Sequence, residues 1–143
     1  MSAWAQTARV LGLEKPPRKP ATDIQYLDMV DRGLPVRSLE KISTAVAPDD
    51  RAFKYRIVSR ASLARSKNSK RLSANHSVVV ARLASIWTMA LGIWKSEEEV
   101  RAFLNRPHPL LDRRRPLDLV LENEIGADLV RSVLGRLEYG SAV

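Results

Sequence analysis

"VVVARLASIWTMALGIW", residues 78–94, decides the fold. The run is interrupted by Arg82 and falls short of the roughly 20 apolar residues that span a bilayer. It therefore predicts a buried central helix, opened by a cap at Ser73, in a soluble, cytoplasmic protein with no membrane partner. Trp87 and Trp94 lie seven apart on it, a spacing that suits core or dimer contacts better than platforms for stacked bases. Strand patterning is absent on either side of this run, so the expected class is all-α.

Outward from that helix, local signals mark the remaining elements. Toward the N-terminus, a helix over 2–11 is followed by Gly12 as its stop. "KPPRKP" (15–20) is an extended linker. Asp23 is expected to cap a helix with Ile24, Leu27 and Val30 on one face and Gly33 at its end. Ser38 opens "LEKISTAV", where Leu39, Ile42 and Val46 share a face. After Pro48, "DDRAFKYRI" is expected to form a helix with two acids in its first turn, and Ser59 caps "RASLARSK". Toward the C-terminus, Ser96 and Glu99 form a capping box for a helix that buries Val100, Phe103 and Leu104. The loop "NRPHPLLDRRR" leads to Pro116 at the first turn of "PLDLVLEN". Gly126 separates that helix from the last, "ADLVRSVLGRLEY".

The formal net charge of +8 is unevenly spread: residues 1–72 hold 15 Lys/Arg against 7 Asp/Glu, and residues 73–143 hold 9 of each. Residues 51–72 carry 8 basic side chains and no acid. One-signed charge confined to a short segment is the footprint of a phosphate-binding surface. A merely solvated helix face would include acids as i,i+4 partners.

That segment contains the pattern of a helix-turn-helix, in which a slim second helix enters the major groove with long donors near its N-terminus. In "SRASLARSK" (59–67), Leu63 faces inward toward Phe53, Ile57 and Val58. Arg60 and Arg65 are candidates for bidentate contact to guanine. Ser59 sits at the cap, Ser62 can meet a base or a phosphate, and Lys54, Lys67, Lys70 and Arg71 grip phosphates and set the register. Ile57 occupies the turn, where phage-repressor-like units usually carry glycine. The partner is then double-stranded operator DNA, and two half-sites imply a homodimer.

Other chemistries are poorly provided for. Cysteine is absent and only His76 and His108 are present, which excludes thiolate sites and means that a histidine-based zinc site would need several carboxylate ligands. Asp118 and Glu122 are four apart on a helix with no histidine partner and fit surface charges better than an acid–base pair. No catalytic residue, metal or cofactor is expected, and the protein is not expected to be an enzyme. His108, between two prolines, is expected to stiffen and cap its loop.

The C-terminal half resembles a known family. Phe103-Leu104, Pro107 through Pro109, Leu111, Arg115-Pro116-Leu117-Asp118-Leu119, Glu124-Ile125-Gly126, Val130 and Leu134 through Gly140 are similar to the C-terminal domain of the Xre/MbcA/ParS antitoxins, partners of RES-domain toxins in type II toxin–antitoxin operons. "GLPVRSL" (33–39), "IVSRASLAR" (57–65), "RLS" (71–73) and "ARLA" (81–84) extend the likeness over residues 33–143. The resemblance implies an inhibitor of an NAD-consuming RES-domain toxin that also binds its operator and autorepresses, with no chemistry of its own. It divides the chain into an N-terminal helical segment with its linker (1–33), an Xre-like DNA-binding region (34–72) and a C-terminal toxin-binding domain (73–143).

The implied toxin-facing residues are Arg113, Arg114 and Arg115 in the loop, and Arg136, Leu137, Glu138, Tyr139, Gly140, Ser141, Ala142 and Val143 at the end of the chain. Asp112, Asp118, Glu122 and Glu124 can balance the arginine triplet locally, which suits a structural elbow with a toxin-facing surface rather than a DNA grip. The alternative is a stand-alone helix-turn-helix regulator whose C-terminal half only dimerises.

Overall fold

Local capping chemistry accounts for most of the helix ends in the computed structural model, which describes residues 3–14 and 19–140. Ser59 and Ser96 each accept the backbone N–H three residues on, at 3.2 and 3.3 Å, and Ser73 accepts that of His76 at 3.1 Å. Such caps satisfy donors that a helix start leaves open. Among the described residues the result is eight α-helices and no β-strand: α1 (Ala3–Val10), α2 (Asp23–Arg32), α3 (Val36–Val46), α4 (Arg60–Ser69), α5 (Ala74–Trp94), α6 (Glu97–Asn105), α7 (Pro116–Glu122) and α8 (Glu124–Glu138). Short 3-10 turns lie at Phe53–Arg56 and Pro109–Leu111. The all-α expectation holds.

The chain forms two compact units, one up to Ser85 and one from Ile86, with α5 running unbroken across the division. At 21 residues α5 is longer than its apolar run, and by length and composition it could cross a membrane. Length and composition therefore do not set it apart from a bilayer span. Val80, Leu83, Ala84, Ile86 and Ala90 are fully buried and Trp87 nearly so.

In the first unit, α1 ends as expected at Gly12 (φ +76°), with Gly12 N–H donating to Arg9 and Leu13 N–H to Ala8. That pairing is a left-handed helix stop, and Leu13 beyond it is buried. Four local expectations need correction. The cap of α2 is Thr22, whose side chain accepts Gln25 N–H at 3.1 Å; Asp23 is the first helical residue. Of the three apolar residues expected to face inward on α2, only Val30 is buried; Ile24 and Leu27 are 65% and 53% exposed. The inward face passes instead through Tyr26, whose ring stacks on Trp4 at 6.1 Å, and Val30 one turn on.

Helix α3 starts at Val36, before Ser38, because the Lys70 carbonyl accepts Val36 N–H at 3.1 Å and so replaces a side-chain cap. Ser38 is buried and its hydroxyl donates to the Leu11 carbonyl at 2.8 Å. Residues 49–57 do not form an α-helix. The Asp50 side chain accepts Ala52 N–H at 2.9 Å, a local turn that competes with helix, and only one 3-10 turn follows. Leu39, Ile42, Val46, Phe53, Val58 and Leu63 nevertheless make the expected core. Each such burial stabilises by roughly 1.5–3 kcal/mol.

In the second unit α7 and α8 pack closely at Gly126. A Cβ there would overlap the Leu119 carbonyl oxygen. Gly126 therefore lies inside the first turn of α8, capped by Asn123, and is not a break before it. Trp94 packs on Phe103 at 5.1 Å, and the Arg101 guanidinium lies 5.7 Å from the Trp87 ring centre. His108 does stiffen its loop: Nδ1 accepts Leu110 N–H at 3.1 Å, and its backbone pairs with Arg114.

Candidate functional site

Helix α4 is held to its unit by one buried side chain, Leu63. Arg60, Ala61, Ala64, Arg65, Lys67, Asn68 and Ser69 are all exposed. The turn before it needs no glycine: Ile57 has φ −98° and ψ −47°, ordinary right-handed values, and its side chain is buried in the unit's core.

Two of the predicted DNA-reading arginines are braced. The Arg60 guanidinium lies 3.9 Å from the Tyr55 ring centre. Arg65 Nη2 donates to Ser62 Oγ at 3.0 Å, and Ser62 Oγ accepts from Ser59 Oγ at 3.0 Å. Ser59, Ser62 and Arg65 thus form one hydrogen-bonded row from the cap along a face of α4. Holding long side chains in one geometry beforehand lowers the ordering cost of binding. Lys67, Lys70 and Arg71 are exposed at the C-terminal end of α4, with Lys70 in the left-handed region at φ 64°.

Lys54 stands apart from these. Its Nζ donates to Glu40 Oε1 on α3 at 2.9 Å. That hydrogen bond holds the ammonium above its ordinary pKa, against the lowering effect of burial. The segment 51–72 contains no acid, yet α3 supplies one to its first lysine.

In the second unit the arginine triplet is divided. Arg114 pairs with Glu122 at 2.9 Å, and Arg115 is bidentate to Asp118 at 2.9 and 3.2 Å. Arg113 is exposed at φ 62° and makes no ion pair among the described residues. Glu124 pairs with Arg131 at 2.7 Å, as does Asp128 at 2.6 Å.

On the outer face of α8, Arg136 and Tyr139 are among the residues expected from sequence, whereas Ile125 and Leu129 were not anticipated. Ile125 is 72% exposed, Leu129 49% and Tyr139 83%. With Ser132 and Arg136, also exposed, they recur every four or three residues, which aligns them along one side of a helix. The core face of the same helix is Ala127, Val130, Val133 and Leu134. The available signal was an excess of apolar residues for a one-sided helix. Arg136, Glu138, Tyr139 and Gly140 lie exposed at the end of this stripe and Leu137 is half-buried. The predicted residues Ser141, Ala142 and Val143 lie outside the described residues.

The arrangement is therefore an all-α chain with a basic, braced helix in one unit and an exposed apolar stripe in the other. Residues 89–140, from the last turns of α5 to the end of α8, match the family model of the antitoxin Xre/MbcA/ParS C-terminal toxin-binding domain. This stretch is similar to a domain through which antitoxins bind toxins, and it supports an antitoxin role with a toxin partner. Among curated proteins, no relative matches the chain.

Proposed function

We propose that this protein is the antitoxin of a RES-domain, NAD-consuming toxin, which it neutralises by blocking the active site. It also binds operator DNA through residues 34–72 and represses its own operon. The match over residues 89–140 carries the antitoxin part. The apolar stripe on α8 supplies a surface suited to a protein partner, since exposed apolar patches framed by polar residues mark interaction sites. Tyr139 is the kind of rigid aromatic side chain enriched at interface hot spots. The DNA part is supported by the acid-free segment 51–72 and by Arg60 and Arg65, both braced on the open face of α4.

The test is co-expression with a RES-type reading frame adjoining its own gene, followed by pull-down and growth rescue. A stable complex and restored growth are expected. A protein that binds its promoter but neither binds nor rescues that neighbour would instead be a stand-alone regulator whose C-terminal half dimerises.

A further inference from the structure

Beside the C-terminal end of α4 lies a cleft of about 510 Å³ lined in part by Arg32, Gly33, Ser69, Lys70 and Arg71. Its three cations come from two distant segments, the end of α2 and the turn after α4. Backbone contacts hold those segments together. Leu72 N–H donates to Leu34 at 2.8 Å and Val36 N–H to Lys70 at 3.1 Å. Gly33 (φ +108°) lies so close that any Cβ would overlap the Leu72 carbonyl oxygen. Ser69 Oγ accepts Arg71 N–H at 3.3 Å and donates to the Arg71 carbonyl at 3.2 Å, which fixes the turn that presents Lys70 and Arg71.

Among the described residues, no acidic side chain lines this cleft. Asp28 reaches Arg32 only at 3.9 Å, between two largely exposed groups. Such a pair is weak and yields readily to a better anion. Arg32 and Lys67 also lie in the last turns of α2 and α4, where the negative ends of the helix dipoles favour cations.

We propose that this cleft holds a phosphodiester of duplex DNA flanking the bases that α4 reads, with Arg32 of α2 as a contact residue outside α4. The inference rests on the DNA-binding reading above. Its scale follows from helix geometry: the ten residues of α4 extend about 15 Å. A major groove is about 12 Å wide. With Arg60 and Arg65 at base edges, the far end of the helix stands over the sugar–phosphate backbone. Lys67, in the last turn of α4, is exposed, as are Lys70 and Arg71, which line the cleft.

The test uses the full chain and the DNA upstream of its own reading frame, with single phosphates replaced by neutral methylphosphonates. Wild type is expected to lose affinity at one replaced phosphate outside the read bases in each half-site. Arg32→Ala should bind several-fold more weakly and ignore that replacement. Its slope of log K against log salt should be shallower by about 1. Arg32→Lys should retain the slope. An Arg32→Ala protein with wild-type slope and wild-type sensitivity to the replacement overturns the proposal.

Inorganic phosphate and a nucleoside triphosphate, titrated calorimetrically without DNA, form the second arm and should show no Arg32-dependent binding. Tight binding abolished by Arg32→Ala would make free phosphate the ligand and overturn the DNA assignment. Arg65→Ala separates the two levels. If it fails on DNA while Arg32→Ala equals wild type, α4 reads DNA and the cleft does not contribute. If wild type itself does not bind, both readings fall.

Discussion

Arg65 and Arg114 carry the same charge in different company. Arg65 is braced by a serine hydroxyl on an open helix face, whereas Arg114 is neutralised by Glu122. Changing Arg65 to Ala is expected to weaken operator binding by about 1–3 kcal/mol and relax specificity at one position, as loss of a bidentate base contact does. Changing Arg114 to Ala should leave operator binding nearly intact. A fluorescence anisotropy titration showing the opposite ranking would sink the assignment. Tyr26 gives a residue-scale prediction about stability. Burial pushes its phenol from 10.0 up to about 12, and Oη has no hydrogen-bond partner among the described residues. The folded state binds this proton more tightly than the unfolded chain. Its contribution is thus fully present below about pH 10 and lost as pH rises toward about 12. Tyr26→Phe should flatten that alkaline fall and be neutral to stabilising near pH 7, because it removes a buried unpaired hydroxyl. Urea melts of both proteins across this range check it; parallel pH profiles would refute it.

Helix α8 belongs to two surfaces at once. Its inner face is core, and its outer stripe of Ile125, Leu129 and Tyr139 is left to solvent. Leu129→Glu is expected to abolish growth rescue while leaving the helical circular dichroism and operator binding unchanged. Deletion of residues 138–143 should likewise remove neutralisation, if the chain end reaches the toxin's active-site entrance. Full rescue by the truncated protein would place the inhibitory contact elsewhere, on the rest of the stripe or in the 105–119 loop. Full rescue by Leu129→Glu would exclude the stripe.

At the scale of the whole molecule, the charge asymmetry between residues 1–72 and 73–143 predicts how DNA affinity responds to salt. With about six phosphates neutralised per bound unit, log K should fall with log salt at a slope near −5. A slope close to zero would remove the phosphate-binding assignment of residues 51–72. Specificity from so short a reading helix further calls for two half-sites, and hence a homodimer. Light scattering without DNA, at tens of micromolar, should give twice the chain mass. A strict monomer would count against it.

Which features were legible in sequence follows from the range of the interactions that make them. Caps at Ser59, Ser73 and Ser96, stops at Gly12 and Gly33, and Pro116 at a first turn depend on atoms within a few residues. The all-α class, the core of α3 and the basic segment could also be read, because periodicity and charge are properties of a single stretch. The early start of α3 required a carbonyl from Lys70, and the placement of Gly126 required the carbonyl of Leu119. The partner of Lys54, Glu40, lies fourteen residues earlier on α3. The outward stripe of α8 and the meeting of Arg32 with Lys70 and Arg71 depended on which faces the other helices cover and which backbones touch. Sequence determined what each segment could form by itself; the tertiary structure alone decided which polar groups found partners and which apolar faces stayed open, because those outcomes depend on atoms far apart in the chain.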